Sequence, residues 1–163
     1  MDEILTPWRM RYIAASAKEA SCIFCPPPGE NDRERYVLHR GATAFVILNL
    51  YPYTTGHLMV VPYRHLSRFR ELVREERAEI ARLLAASERI LREATGARRF
   101  HAGINLGRAA GAGVEGHLHA HLVPRDARGV WADEAGADEP ALPVEDAFRR
   151  LAPYFAEGGA VSL

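Results

Sequence analysis

His117, His119 and His121 occupy every second position of the run from Gly116 to Pro124, with Leu118, Ala120 and Leu122 between them. The two-residue side-chain period of a β-strand puts all three imidazoles on one face and the apolar side chains on the other. The segment therefore reads as a half-buried strand, its apolar back on a core and its imidazole front turned to a site. Packing alone rarely uses three histidines in such a row.

The rest of the chain supplies the frame for that strand. Residues 36–40 and 43–50 are rich in β-branched and aromatic side chains and break at Gly41, which predicts a hairpin; residues 57–61 resume the pattern after Tyr51, Pro52, Tyr53, Thr54, Thr55 and Gly56. From Arg74 to Thr95 the apolar positions Ile80, Leu83, Leu84, Ile90, Leu91 and Ala94 recur at helical spacing, with Gly96 as the stop. Residues 100–106 and 117–123 predict strands four and five, joined by a loop holding Gly107, Gly111, Gly113 and Gly116. Strands grouped around one long helix predict an α+β meander. Thr6 as cap and Pro7 in the first helical position open a short amphipathic helix through Trp8 to Ile13, which should end before Ser21. Three consecutive prolines make a rigid loop of the stretch from Cys22 to Asn31, residues 126–140 read as a loop, and a last helix is expected over 144–151.

A length of 163 residues fits one domain with a core of its own, here spanning 1–163. The 21 basic and 21 acidic side chains cancel and are mixed along the chain, so no basic footprint for a long nucleic acid is present; a small charged ligand stays compatible. An acidic start and the lack of an apolar run of about 18 residues argue against a signal peptide or membrane helix, and predict a cytoplasmic protein. Cys22 and Cys25 are the only cysteines. Their spacing in a reducing compartment suggests metal or redox chemistry more than a structural disulfide, and both options stay open.

The glycine-rich loop next to the histidine strand points to phosphate, because Gly111, Gly113 and Gly116 let backbone N–H groups approach an anion. A neutral imidazole can attack phosphorus and later leave while protonated neighbours stabilise charge on the oxygens. His119, with a potential donor on either side, is the expected nucleophile.

The run from Gly116 to Pro124 resembles the signature of the histidine triad (HIT) superfamily, and the resemblance extends over roughly residues 6–124. Residues 45–65, holding Tyr51, Pro52, Tyr53 and then Gly56, His57, Leu58 and Met59, are most similar to the branch of bacterial diadenosine tetraphosphate phosphorylases. The resemblance implies a HIT-like α+β fold with a five-stranded antiparallel sheet, one long helix and shorter terminal helices. It implies a homodimer that continues the sheet across subunits, and the helix 74–95 is a further surface for a second copy. It implies a covalent nucleotidyl intermediate on His119, with His117 and His121 orienting and carrying charge and His57 supporting them. Asn49 then faces the ribose, and Asn105 precedes the phosphate loop, to which Gly111 and Gly113 belong. Members with paired cysteines near the start bind structural zinc through them, a histidine after the third strand and the first triad histidine, which implies Cys22, Cys25, His65 and His117 here. No organic cofactor is expected. Many members carry glutamine and serine before the triad where this chain has Ala110, Gly111, Ala112, Gly113 and Val114, so backbone amides, with Arg108, are expected to take over. From Asp126 onward the likeness ends.

The expected activity is cleavage of an adenosine polyphosphate, such as diadenosine tetraphosphate, at the α-phosphate, with water or orthophosphate as acceptor. The alternatives are a nucleoside phosphoramidate or adenylate hydrolase of the same fold, a nucleotide-binding module without turnover, or a three-imidazole metal centre. His39 and His101 carry no functional expectation, and Tyr51, Tyr53 and residues 45–48 read mainly as core with a possible purine pocket.

Overall fold

Two short runs rich in β-branched and apolar residues, closed by a tight turn at Gly41, give the first hairpin: Val37–Arg40 (β1) pairs antiparallel with Ala44–Leu48 (β2). Leu58–Pro62 (β3) pairs with β2, Ala120–Pro124 (β5) with β3, and Phe100–Ile104 (β4) with β5, all antiparallel, so the five-stranded sheet runs β1-β2-β3-β5-β4. This computed structural model describes residues 22–25, 31–126 and 142–156. The helix expected over 6–13, the three prolines and nearly all of the loop expected over 126–140 lie outside them. No helix among the described residues is long and apolar enough to cross a membrane.

Arg74–Thr95 (α1) and Val144–Ala156 (α2) cover one face of the sheet. Strand parity divides the core accordingly. Val46, Leu58, Val60, Ala120 and Leu122 meet Leu83, Leu91 and Leu151 on the helix side. Phe45, Ile47, Met59 and Val61 point to the other side, where Phe24 and Val37 join them. Each leucine fully buried in this way contributes about 1.5–3 kcal/mol. With both faces covered, every residue of β2, β3 and β5 is buried. The half-buried front expected for the histidine strand is thus corrected to a covered one.

Buried carboxylates fix the ends of these elements. Glu79 on α1 accepts the backbone N–H of Ala42 at 2.9 Å and both the N–H and the hydroxyl of Thr43, clamping the β1–β2 turn. Gly41 is required there because a Cβ would stand 2.5 Å from Glu79 Oε1. Glu76 accepts the Val73 N–H at 2.9 Å at the start of α1 and takes the Arg64 guanidinium at 2.6 and 2.7 Å. That pair anchors the chain just after β3, where His65 follows. At the other end of α1, Gly96 adopts a φ of 68° and donates to Arg92 O at 3.0 Å, closing the last turn.

The element boundaries depart from expectation at most of the strand ends and at the end of the last helix; β2, for one, stops at Leu48 rather than 50. The fifth strand begins at Ala120 rather than at His117, because the Leu118 N–H bonds to Leu66 O (2.7 Å), beyond the end of β3. β4 ends at Ile104, short of 106. α2 runs to Ala156 rather than 151; Pro153 forfeits one helical hydrogen bond, but Leu151 and Phe155, buried on one face, carry the helix past it. Strand β4 forms one edge of the sheet, with His101 and Ala102 exposed.

Candidate active site and metal centre

The register Met59↔His121 and Leu58↔Leu122 puts the odd positions of β5 on the face opposite the helices. His117 and His119 keep that alternation ahead of the ladder, with Leu118 between them buried in the helix-side core. His57, just before β3, falls on the same face, and its ring centroid lies 5.1 Å from that of His121. All four are buried: His57 and His117 are 0% exposed, His121 3% and His119 4%.

Hydrogen bonds fix which nitrogen of each ring carries the proton. His117 donates from Nε2 to Pro62 O at 2.8 Å, which leaves its Nδ1 lone pair facing Cys22 Sγ and Cys25 Sγ, each at 3.4 Å. His119 donates from Nδ1 to the His117 carbonyl at 2.7 Å, which leaves the lone pair of a neutral ring on Nε2. His57 accepts the Tyr53 N–H on Nδ1 at 3.1 Å, so its Nε2–H donates to His121 Nδ1 at 2.9 Å. His121 in turn carries its proton on Nε2. Three neighbouring imidazoles thereby hold three roles: a lone pair toward the thiols, a lone pair on the central ring, and an N–H beside it. The His119 and His121 rings meet edge to face, with centroids 4.8 Å apart.

Asn49 is buried beside this group. Its Oδ1 accepts the Tyr51 N–H at 2.9 Å and its Nδ2 lies 3.3 Å from His57 Nδ1. The local backbone bond that can end a strand is therefore present, together with a contact to the histidine network. Tyr53 stacks on His57 at 5.0 Å, with ring planes 10° apart.

In the glycine-rich loop, Gly107 and Gly111 take φ of 82° and 85° around the single 3₁₀ turn Arg108–Ala110, a backbone path that side-chain-bearing residues rarely follow. The N–H groups of Ala110 and Ala112 bond to Gly107 O and that of Gly111 to Arg108 O. The Gly111 amide, expected to face an anion, is thus turned into the loop, because the tight turn must satisfy its own donors first. Asn105 borders this turn, its Nδ2 3.8 Å from the place of a Gly111 Cβ. Arg108 pairs with Glu115 across the loop at 3.7 Å, both side chains largely exposed.

Cys22, Cys25, His65 and His117 converge so that their ligand atoms all lie within 4.8 Å of one another. Cys25 Sγ is 3.2 Å from His65 Nδ1. A tetrahedral zinc with its usual bond lengths needs a sulfur-to-nitrogen edge of about 3.5 Å. The group therefore fits a four-coordinate metal, and the His117 Nε2–H bond to Pro62 O supplies the outer hydrogen bond such a ligand uses. Partial desolvation, then the hydrogen bond and charge of Cys22, push the Cys25 thiol up to about 11. Burial pushes His117 below the usual imidazole value, aided by His65 and His119, and this favours the neutral ligand form.

Three residues join the site without having stood out in the sequence as its members. Phe24, between the two cysteines, packs on His119 and His117 at 5.1 and 5.6 Å between centroids. Tyr53 was readable only as a pocket aromatic, and Arg35 holds the Ile23 carbonyl at 2.6 Å. The sole signal for Phe24 was its position inside the cysteine pair.

The family model for the HIT domain matches residues 31–128. The chain is 37% identical over 143 residues to an AP-4-A phosphorylase of Mycobacterium tuberculosis, covering 83% of this chain and 71% of that protein. It is 30% identical over 105 residues to an adenosine 5'-monophosphoramidase of Schizosaccharomyces pombe, covering 64% and 74%. Among solved structures, a Zn-bound histidine triad family protein from Mycobacterium smegmatis superposes with a TM-score of 0.58 and 25% identity, covering 90% of this chain and 93% of that one. The chain belongs to the HIT domain family and is an enzyme of its nucleotide hydrolase and phosphorylase class.

Proposed function

We propose that the chain cleaves diadenosine tetraphosphate or a related adenosine polyphosphate at the α-phosphorus through a nucleotidyl intermediate on His119. The observation that carries this reading is the 2.7 Å bond from His119 Nδ1 to the His117 carbonyl, which puts the ring's lone pair on Nε2. In the first step the Nε2–P bond forms and the P–O bond to the leaving polyphosphate breaks. The His121 Nε2–H donates a hydrogen bond to the charged oxygens. In the second step water or orthophosphate attacks phosphorus, the N–P bond breaks and His119 is restored. Asn49 is the ribose contact, and Asn105 with the loop from Gly113 onward meets the phosphates. Similarity to the AP-4-A phosphorylase supports orthophosphate as acceptor.

Cys22, Cys25, His65 and His117 would hold zinc as a closed four-ligand site, and a metal there serves structure and positioning rather than turnover. The Zn-bound neighbour supports this choice of metal.

An acid-labile radiolabel from an α-labelled dinucleotide tests the nucleophile. Label bound to the parent and absent from His119→Ala is the expected result; equal nucleotide binding by both proteins with no label on either would replace the reading with a binding module. The similarity to a monophosphoramidase supports a second reading, hydrolysis of a nucleoside phosphoramidate by the same nucleophile. Comparing kcat/KM for the two substrates separates them.

A further inference from the structure

We propose that Phe24 is a positioning residue: seated between the two cysteines of the metal group, its ring holds the His119 imidazole in its attacking orientation and ties that orientation to metal occupancy. The inference rests on the assignment of His119 and of the metal ligands made above, and goes beyond it.

In-line attack demands a defined direction for the His119 Nε2 lone pair. The Nδ1–H bond to the His117 carbonyl fixes one edge of the ring, and the His121 ring meets it edge to face at 4.8 Å. Phe24 adds a flank from the cysteine turn. Its ring, 4% exposed, lies 5.1 Å from the His119 ring at 48° and 5.6 Å from the His117 ring at 82°.

Two of the restraints on His119, the His117 carbonyl and the Phe24 ring, originate in the metal group. His117 lends its carbonyl to His119 while its Nδ1 faces the thiols. Phe24 stands in the turn that the Cys25 N–H closes on Cys22 O at 3.1 Å and that Arg35 holds through Ile23 O. The Phe24 ring also belongs to the buried apolar cluster of Val37, Phe45, Ile47, Met59 and Val61, which receives it when the turn is in place. Ligation of Cys22 and Cys25 fixes the ends of the turn, and the turn fixes the ring. A chain without metal keeps the His119 hydrogen bond but loosens the flank.

The test uses the full chain loaded with zinc, in parent form and as Phe24→Leu, Phe24→Met and Phe24→Tyr. It compares zinc per chain, kcat and KM for diadenosine tetraphosphate, and ring-nitrogen correlation spectra of histidine-labelled protein. Phe24→Leu is expected to retain zinc, to lose about ten- to a hundredfold in kcat with KM within about twofold, and to show the two His119 ring nitrogens averaging. Phe24→Tyr should return both readouts toward the parent, and the chelated parent should give the His119 spectrum of Phe24→Leu. Phe24→Met carries the same expectations should the leucine variant fail to melt cooperatively. A rise in KM at unchanged kcat would make Phe24 a pocket wall and overturn the proposal. So would an unaltered His119 spectrum in the variants or in the chelated parent. If the radiolabel fails to appear on the parent while Phe24 still governs the His119 spectrum, the failure lies with the nucleophile assignment and not with Phe24.

Discussion

A single proton on each imidazole decides what that ring can do, and the backbone sets most of those protons. Tyr53 N–H on one side of His57 and His121 Nδ1 on the other force a tautomer that leaves His121 as a donor. Replacing the fully buried His57 by leucine, of similar bulk, takes away an acceptor and a donor at once. His57→Leu is expected to lower stability by about 1–3 kcal/mol in urea unfolding, because buried groups lose their partners. Turnover should fall about ten- to a hundredfold as His121 becomes free to take the other tautomer. Ring-nitrogen spectra check the cause: unchanged His121 tautomer in the variant would dissociate the two histidines.

Elements here are held by side chains that reach between them, and Glu79 is the clearest instance. Burial pushes its carboxyl up, but Thr43, the amides of Ala42 and Thr43, and Arg82 outweigh burial and hold it below the ordinary 4.5. Its contribution to stability is therefore fully present above 4.5 and drains away as pH falls through the lowered folded value. Glu79→Gln turns an amide donor against donors; at pH 7 it should cost about 1–3 kcal/mol. The gap to the parent should narrow in urea titrations stepped downward from 4.5, and a gap that widened in acid would refute the clamp. The helix α1 was legible in the sequence because burial on a fixed face writes its period into the residues, and β2 and β3 because burial on both faces makes them continuous apolar runs. The start of β5 was not, since whether His117 joins a ladder depends on a carbonyl at Leu66 rather than on its own neighbours. Of the metal group the cysteine pair showed in its spacing, but His65 and His117, standing 40 and 92 positions from Cys25, were legible only through resemblance. Phe24 showed only its place inside the cysteine pair and Tyr53 only a pocket aromatic, because an aromatic ring that positions another looks in sequence like one that packs.

For the whole molecule, the metal group matters as a staple. It joins residues 22–25 to the segment after β3 and to the approach of β5, closing loops of 40 and 92 positions that the unfolded chain would leave open. A ligand held only by the folded state stabilises it by mass action, about 2.7 kcal/mol at a free concentration one hundred times its dissociation constant. In a chain of this size about 2–4 °C of melting temperature corresponds to each kcal/mol, so chelation should lower the midpoint by about 5–11 °C. Cys22→Ser should melt near the chelated parent whether or not zinc is added, since three ligands no longer close the site. The Cys25 thiol, which stands near 11 without a metal, needs the metal's charge to ionise, so the zinc-dependent shift should grow as pH rises from 6 to about 8. Melting curves that coincide with and without chelator across that range would show that the four side chains meet without holding a metal, and would leave the histidine face to be supported by the sheet alone.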